Sequence, residues 1–157
     1  MEHLQEQLAG YIVAATMEVF ETMIFMDIQA GDMQVGNDIM VTADISSCIG
    51  LAGDVRGLVG VHCPGEVAMG ITAAMLGMEF DEINEDVQDA VGEIVNMVAG
   101  GIKVGLAEQK KDTQLTVPTT VVGKSLRTGG LSGGTRLMVP FSVEQGTFGV
   151  EMKFVPF

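Results

Sequence analysis

Asp89-Ala90-Val91-Gly92-Glu93-Ile94-Val95-Asn96, continued by Met97-Val98-Ala99-Gly100-Gly101-Ile102-Lys103, carries the pattern from which the rest of the chain is read. At about 100° per residue, Val87, Val91, Ile94, Val95, Val98 and Ile102 share one sector, the apolar stripe of an amphipathic helix. Asp89, Glu93, Asn96, Gly100 and Lys103 lie opposite. Glu93 and Asn96 stand three residues apart, so they emerge side by side, with Asp89 one turn earlier. This face presents an acid and an amide together. A merely solvated helix face has the same spacing. Against that reading, asparagine is a middling helix former, and Gly100-Gly101 costs about 2 kcal/mol of helix propensity relative to two alanines. Gly100 follows Asn96 by one turn, where a missing Cβ admits the backbone of another protein.

Upstream, the spacing predicts a first helix over residues 4–26. Leu4, Leu8, Ile12, Ala15, Val19 and Met26 form one stripe, and Val13, Met17, Phe20 and Ile24 a second. Such a helix is covered on both sides, by a sheet and by another helix or subunit. Alternation then predicts half-buried antiparallel strands at residues 39–49 and 55–63, joined by Gly50-Leu51-Ala52-Gly53-Asp54. Pro64 ends the second strand. A short helix covers residues 66–76 and stops at Gly77; Asp81 or Asn84 caps the long helix, whose positive end suits Glu85 and Asp86. Lys110 to Thr116 reads as a polar break, and strands at residues 119–126, 136–143 and 147–155 close the chain. Thr128-Gly129-Gly130-Leu131-Ser132-Gly133-Gly134 reads as a loop, lacking both GxGxxG before a helix and the GKS or GKT ending of phosphate-binding loops.

Gly50-Leu51-Ala52-Gly53-Asp54-Val55-Arg56 echoes Gly130-Leu131-Ser132-Gly133-Gly134-Thr135-Arg136, which suggests two halves, each a helix followed by strands. Only the second half has the acid and amide pair, because Glu18 is followed three residues later by Glu21. The expected fold is α/β of the α+β kind: an antiparallel sheet, two long packed helices and a weak internal two-fold repeat, within one domain spanning residues 1–157.

A chain of 157 residues buries about 70% of its unfolded surface, enough for a core without disulfides. Cys48 and Cys63 form no CxxC pattern and read as small apolar strand residues in a reducing, cytoplasmic compartment. Met1-Glu2-His3-Leu4-Gln5-Glu6 is acidic rather than basic, and no apolar run reaches the roughly 18 residues of a membrane span. Neither export nor membrane attachment is expected. With 8 Lys and Arg against 21 Asp and Glu, the net charge of −13 repels a phosphate backbone and excludes nucleic acid as a partner. His3 and His62 are too few for a histidine-based metal site, and no EF-hand loop or HExxH occurs. His62, between Val61 and Cys63, reads as a strand histidine.

Asp89-x-x-x-Glu93-x-x-Asn96 on a long helix, with Pro118 downstream, resembles the signature of the CheC, CheX and FliY chemotaxis phosphatases. The order helix, two strands, short helix, signature helix, strands resembles theirs over most of the chain. One signature helix is more similar to the CheX branch than to the two-site CheC proteins. The resemblance implies a homodimeric hydrolase acting on the aspartyl phosphate of a CheY response regulator. Glu93 and Asn96 would be the catalytic pair. Asn96, able to donate and accept, would hold water in line with phosphorus, and Glu93 would dock onto a partner lysine. Asp89, Glu93 and Gly100 would face the partner. Mg²⁺ would come from the partner's active site, leaving this chain without a metal or cofactor of its own. The alternative is a non-catalytic CheC-like or flagellar-switch-like module that binds a response regulator or adaptor.

Overall fold

Period-two alternation sorts the strand residues onto two faces, and the apolar face meets the helices. The computed structural model describes residues 2–36, 38–39, 42–126 and 134–155. In chain order these form α1 (Glu2–Val19), a π-helical turn (Phe20–Ile24), β1 (Gln29–Ala30), β2 (Gln34–Val35), β3 (Ala43–Gly53), β4 (Gly57–Cys63), α2 (Gly65–Leu76), α3 (Glu85–Glu108), β5 (Thr113–Leu115), β6 (Thr119–Leu126), β7 (Thr135–Val143) and β8 (Gly146–Phe154). The pairings are antiparallel, in the order β1-β7-β8-β4-β3-β5, with β2 also beside β7 and β6 also beside β3. Ile45 and Ile49 of β3, Val59 and Val61 of β4, and Val150 and Met152 of β8 join the buried stripes of α1 and α3 in one core.

The internal repeat is visible in the topology. Hairpins β3–β4 and β7–β8 meet where β4 pairs with β8; β1 and β2 flank β7 as β5 and β6 flank β3. The strands that follow each long helix therefore complete the other half's hairpin. The sequence echo marks different places in the two halves. Gly50 to Gly53 end strand β3, whereas Thr135 and Arg136 open β7.

The first helix ends earlier than its stripes suggest. Phe25 takes the left-handed conformation (φ 61°), and its N–H donates to the Phe20 carbonyl at 2.7 Å, closing a widened i to i−5 turn. Phe20 and Ile24, at the far end of the second stripe, are buried; Phe20 stacks on Phe148 with ring centroids 5.5 Å apart. The sheet covers one side of α1 and α3 another.

The first strand lies later than residues 39–49. Ile39 is outside it, Val41 is outside the described residues, and β3 runs on through Gly53. The glycines that read as a connector instead permit close approach. A Cβ on Gly50 would stand 3.1 Å from Thr116, and Gly53 (φ 103°) would meet the Asp112 carbonyl at 2.7 Å. The partner strand responsible is β5, formed by Thr113–Leu115 within the stretch that read as a polar break. The two-residue strands β1 and β2 were too short to leave an alternation signal. Of the glycine-rich segment 128–134, only Gly134 is within the described residues. Helix α3 runs five residues past Lys103, to Glu108, and elsewhere element limits agree to within about two residues.

His62 is a strand histidine, with a specific set of partners on the sheet face away from the helices. Its Nδ1 bonds the Ser46 hydroxyl at 2.7 Å, and its Nε2 bonds Glu151. The second carboxylate oxygen of Glu151 accepts from Arg136 Nε at 2.7 Å, and Arg136 also reaches the Ile39 carbonyl at 2.6 Å. Burial alone would raise the Glu151 carboxyl, but the hydrogen bonds from His62 and Arg136, with the charges of His62 and Lys153, hold it down to about 2. Both cysteines are free; Cys63 is fully buried, which pushes its thiol up to about 12.

Candidate active site

Helix α3 begins where its caps predict. Val87 N–H donates to Asn84 Oδ1 at 3.1 Å, and Glu85 and Asp86 occupy the positive first turn. All six residues of the apolar stripe are buried. This fixes the helix rotation and turns Asp89, Glu93 and Asn96 outward, where all three are exposed. The length and hydropathy of α3 would also suit a membrane span, but half of its most apolar window is buried inside the protein, as in a core helix.

Opposite that face stands the connection from β5 to β6. Thr116 is tied at both ends: its N–H donates to the Gly50 carbonyl at 3.0 Å, and its Oγ1 accepts from Gly50 N–H at 2.8 Å. Val117 and Pro118 follow. Between this wall and α3 lies an open groove of about 490 Å³, bordered by Asp89, Glu93 and Asn96 on one side and by Thr116, Val117 and Pro118 on the other. Gln88, Gly92 and Thr120 complete it. Thr120 Oγ1 lies 2.9 Å from the Ser47 hydroxyl.

Asp89, Glu93, Asn96 and Pro118 are thus brought together. Among the described residues, no hydrogen bond or ion pair within the chain engages the first three side chains. Unpartnered polar groups on a rigid helix are free to meet an outside molecule. Gly100 stands one turn beyond Asn96 and outside the groove, and a Cβ there would meet nothing within 4 Å. Its neighbour Gly101 has an internal reason: a Cβ there would stand 2.6 Å from that of Ala15 in α1.

Among the described residues no three His, Cys, Asp or Glu side chains gather as a metal site. The groove offers two acids, two amides and two hydroxyls, a set able to orient water and bind a cation-bearing partner. Sequence reasoning missed Gln88 and Gly92, although both lie on the row of Asn96 at four-residue intervals. It missed Thr120 because only the β3–β6 register, Ser47 opposite Thr120, brings that residue beneath the helix.

Residues 45–142 match the family model described as chemotaxis phosphatase CheX. A curated relative, the CheY-P phosphatase CheX of Thermotoga maritima, is 26% identical over 141 residues, spanning 89% of this chain and 90% of that protein. The crystal structure of chemotaxis protein CheX from Vibrio vulnificus is 32% identical, with a TM-score of 0.88 over 94% of this chain and 98% of that one. The CheX–CheY–BeF3–Mg²⁺ complex from Borrelia burgdorferi contains a chain 21% identical, with a TM-score of 0.78 over 94% of this chain and 97% of that one, which shows the same fold. The family model covers more than half of the sequence, and its span includes the signature helix and the wall facing it: the chain belongs to the CheX family of chemotaxis phosphatases.

Proposed function

We propose that this protein accelerates hydrolysis of the aspartyl phosphate of a CheY-type response regulator. The observation that carries the proposal is the groove in which Glu93 and Asn96 stand together, open and unengaged by the chain itself. Water attacking an acyl phosphate needs positioning and charge stabilisation, with no covalent nucleophile required on this side. The Asn96 amide accepts from the water and donates to it, holding it in line with phosphorus. Glu93 pairs with a partner lysine and brings the helix into the partner's site. Asp89 adds negative charge beside it. The docking face continues to Gly100, where the open backbone lets the partner come close.

Mg²⁺ is supplied in the partner's active site. That fits both the chemistry and the Borrelia relative, solved with CheY and Mg²⁺. Residues 1–157 act as one CheX-like domain, because one core joins both helices and the sheet. The active form is a homodimer. Strand β6 has only β3 beside it among the described strands and exposes Val121 and Val122, an edge suited to covering by a second copy. Free Cys48 and Cys63 suit a cytoplasmic location.

The test is phosphate loss from a phosphorylated CheY-type receiver with Mg²⁺ present. Wild type accelerates it, Asn96→Ala does not, and Glu93→Ala needs more receiver to reach the same rate. Binding of the phosphorylated receiver without faster phosphate loss would replace this reading with the non-catalytic module.

A further inference from the structure

Helix α3 contains four glycines, and α1 accounts for two of them. A Cβ on Gly101 would press on Ala15, and one on Gly105 would stand 2.6 Å from the Tyr11 ring. Gly92 is different. A Cβ there would meet Thr120 Oγ1 at 3.5 Å and Ser47 Oγ at 3.8 Å, both ordinary contacts. Alanine therefore fits and is the better helix former. The protein's own packing does not call for a glycine at this position, which lies on the groove floor one turn before Asn96.

Beneath Gly92, Ser47 is 0% exposed, and its hydroxyl has Thr120 Oγ1 as its partner at 2.9 Å. The geometry lets either hydroxyl donate, and because a buried hydroxyl keeps its proton bonded, burial of Ser47 favours the arrangement in which Ser47 donates to Thr120. Thr120, half-buried and bordering the groove, then retains its own proton to give outward. A side chain at residue 92 would cover that hydroxyl.

We propose that Thr120 is a third polar group of the phosphatase groove: uncovered by Gly92 and oriented by Ser47, its hydroxyl donates to an oxygen of the partner's phosphoryl group while Asn96 holds the water. Thr120 makes and breaks no covalent bond. Gly92 and Ser47 are positioning residues. The inference rests on the reading of this groove as the phosphatase site.

The experiment uses the full chain, a phosphorylated CheY-type receiver and Mg²⁺, with melting curves beside the kinetics. Gly92→Ala should melt no lower than wild type yet lose roughly tenfold or more in kcat, the scale of a hydrogen bond to a charged oxygen. Thr120→Val should lose a similar factor, and Thr120→Ser should recover most of it. Ser47→Ala should lower kcat more than it raises KM. Full activity in Gly92→Ala and Thr120→Val, with Asn96→Ala inactive, overturns this inference and leaves the phosphatase reading standing. Gly92→Ala melting well below wild type marks a packing glycine and overturns its assigned role. No acceleration by wild type overturns both readings.

Discussion

Helices α1 and α3 lie packed together on one sheet, and each is followed by strands that flank the other half's hairpin, yet the halves differ in what they offer to solvent. After α3 the chain forms β5 and the eight-residue β6, and the connection between them stands as a wall facing Glu93 and Asn96. Between α1 and β3 the described residues form the two-residue strands β1 and β2. Helix α1 contains no asparagine; its acids are Glu2, Glu6 and Glu18. Duplicating a scaffold therefore does not duplicate a site. An acid and amide on a helix become a groove only where a neighbouring strand supplies the opposite wall.

The sharpest way to break this comparison is at Asn96. Asn96→Ala should remove about 3 kcal/mol or more of transition-state stabilisation, read as the rate of receiver dephosphorylation, with the fold intact. Glu18→Ala, on α1, should leave that rate unchanged.

A second break falls on the seam between the halves, where Ser46 and His62 of the first half meet Glu151 and Arg136 of the second. The Glu151 carboxyl is held at about 2 against an ordinary value of 4.5. A depressed folded-state value means that the stabilisation is complete above the ordinary value and is lost as pH falls from there toward 2. The loss is on the order of 3 kcal/mol. Urea midpoints measured between pH 5 and pH 2 should fall accordingly, and Glu151→Gln should flatten part of that slope while lowering the midpoint near neutrality.

The helix pair itself gives a smaller effect. Gly105→Ala drives a methyl group against Tyr11 and should cost about 1 to 3 kcal/mol. Gly100→Ala meets no neighbour within the chain and should be neutral or stabilise by up to about 1 kcal/mol. Thermal melts of the two variants, compared side by side, separate packing glycines from glycines facing outward. The smallest change concerns how helices stop. Gly77 ends α2 in the left-handed region, whereas Phe25 holds that conformation at the end of the π turn while 79% exposed. Phe25→Gly should stabilise by about 1 kcal/mol and raise Tm by a few degrees.

The parts legible in sequence were those governed by local period. The six-residue apolar stripe of α3 determined its rotation, and that rotation alone put Asp89, Glu93 and Asn96 on one exposed face. Asn84 and Gly77 marked helix ends, and Pro64 the end of a strand, because caps and stops act within a few residues. Pairing across the sheet was less legible. Gly50 and Gly53 look like a connector until β5 is known to lie against them, and Thr120 looks like any strand threonine until Ser47 is opposite it. Likewise, Gly101 reads like Gly100 until Ala15 is in place. Each of these depends on residues about 60 to 90 positions away, beyond the reach of periodicity.

The contacts of Gly101 with Ala15 and of Gly105 with Tyr11 act as detents along the axis of α3. Shifting the helix by one residue, about 1.5 Å, in either direction would bring Val104 or Leu106 to the seat now filled by Gly105, so these contacts oppose sliding of α3 past α1. Tyr11 is itself anchored, its hydroxyl accepting from Gln109 Nε2 at 2.6 Å. The aim of the Asn96 amide is thus set from the back of its own helix. On the function proposed above, an engineer could vary the rim of the groove to change which receiver docks without disturbing that aim. Changes at Ala15 or Tyr11, which lie outside the groove, would instead detune the reaction at a distance.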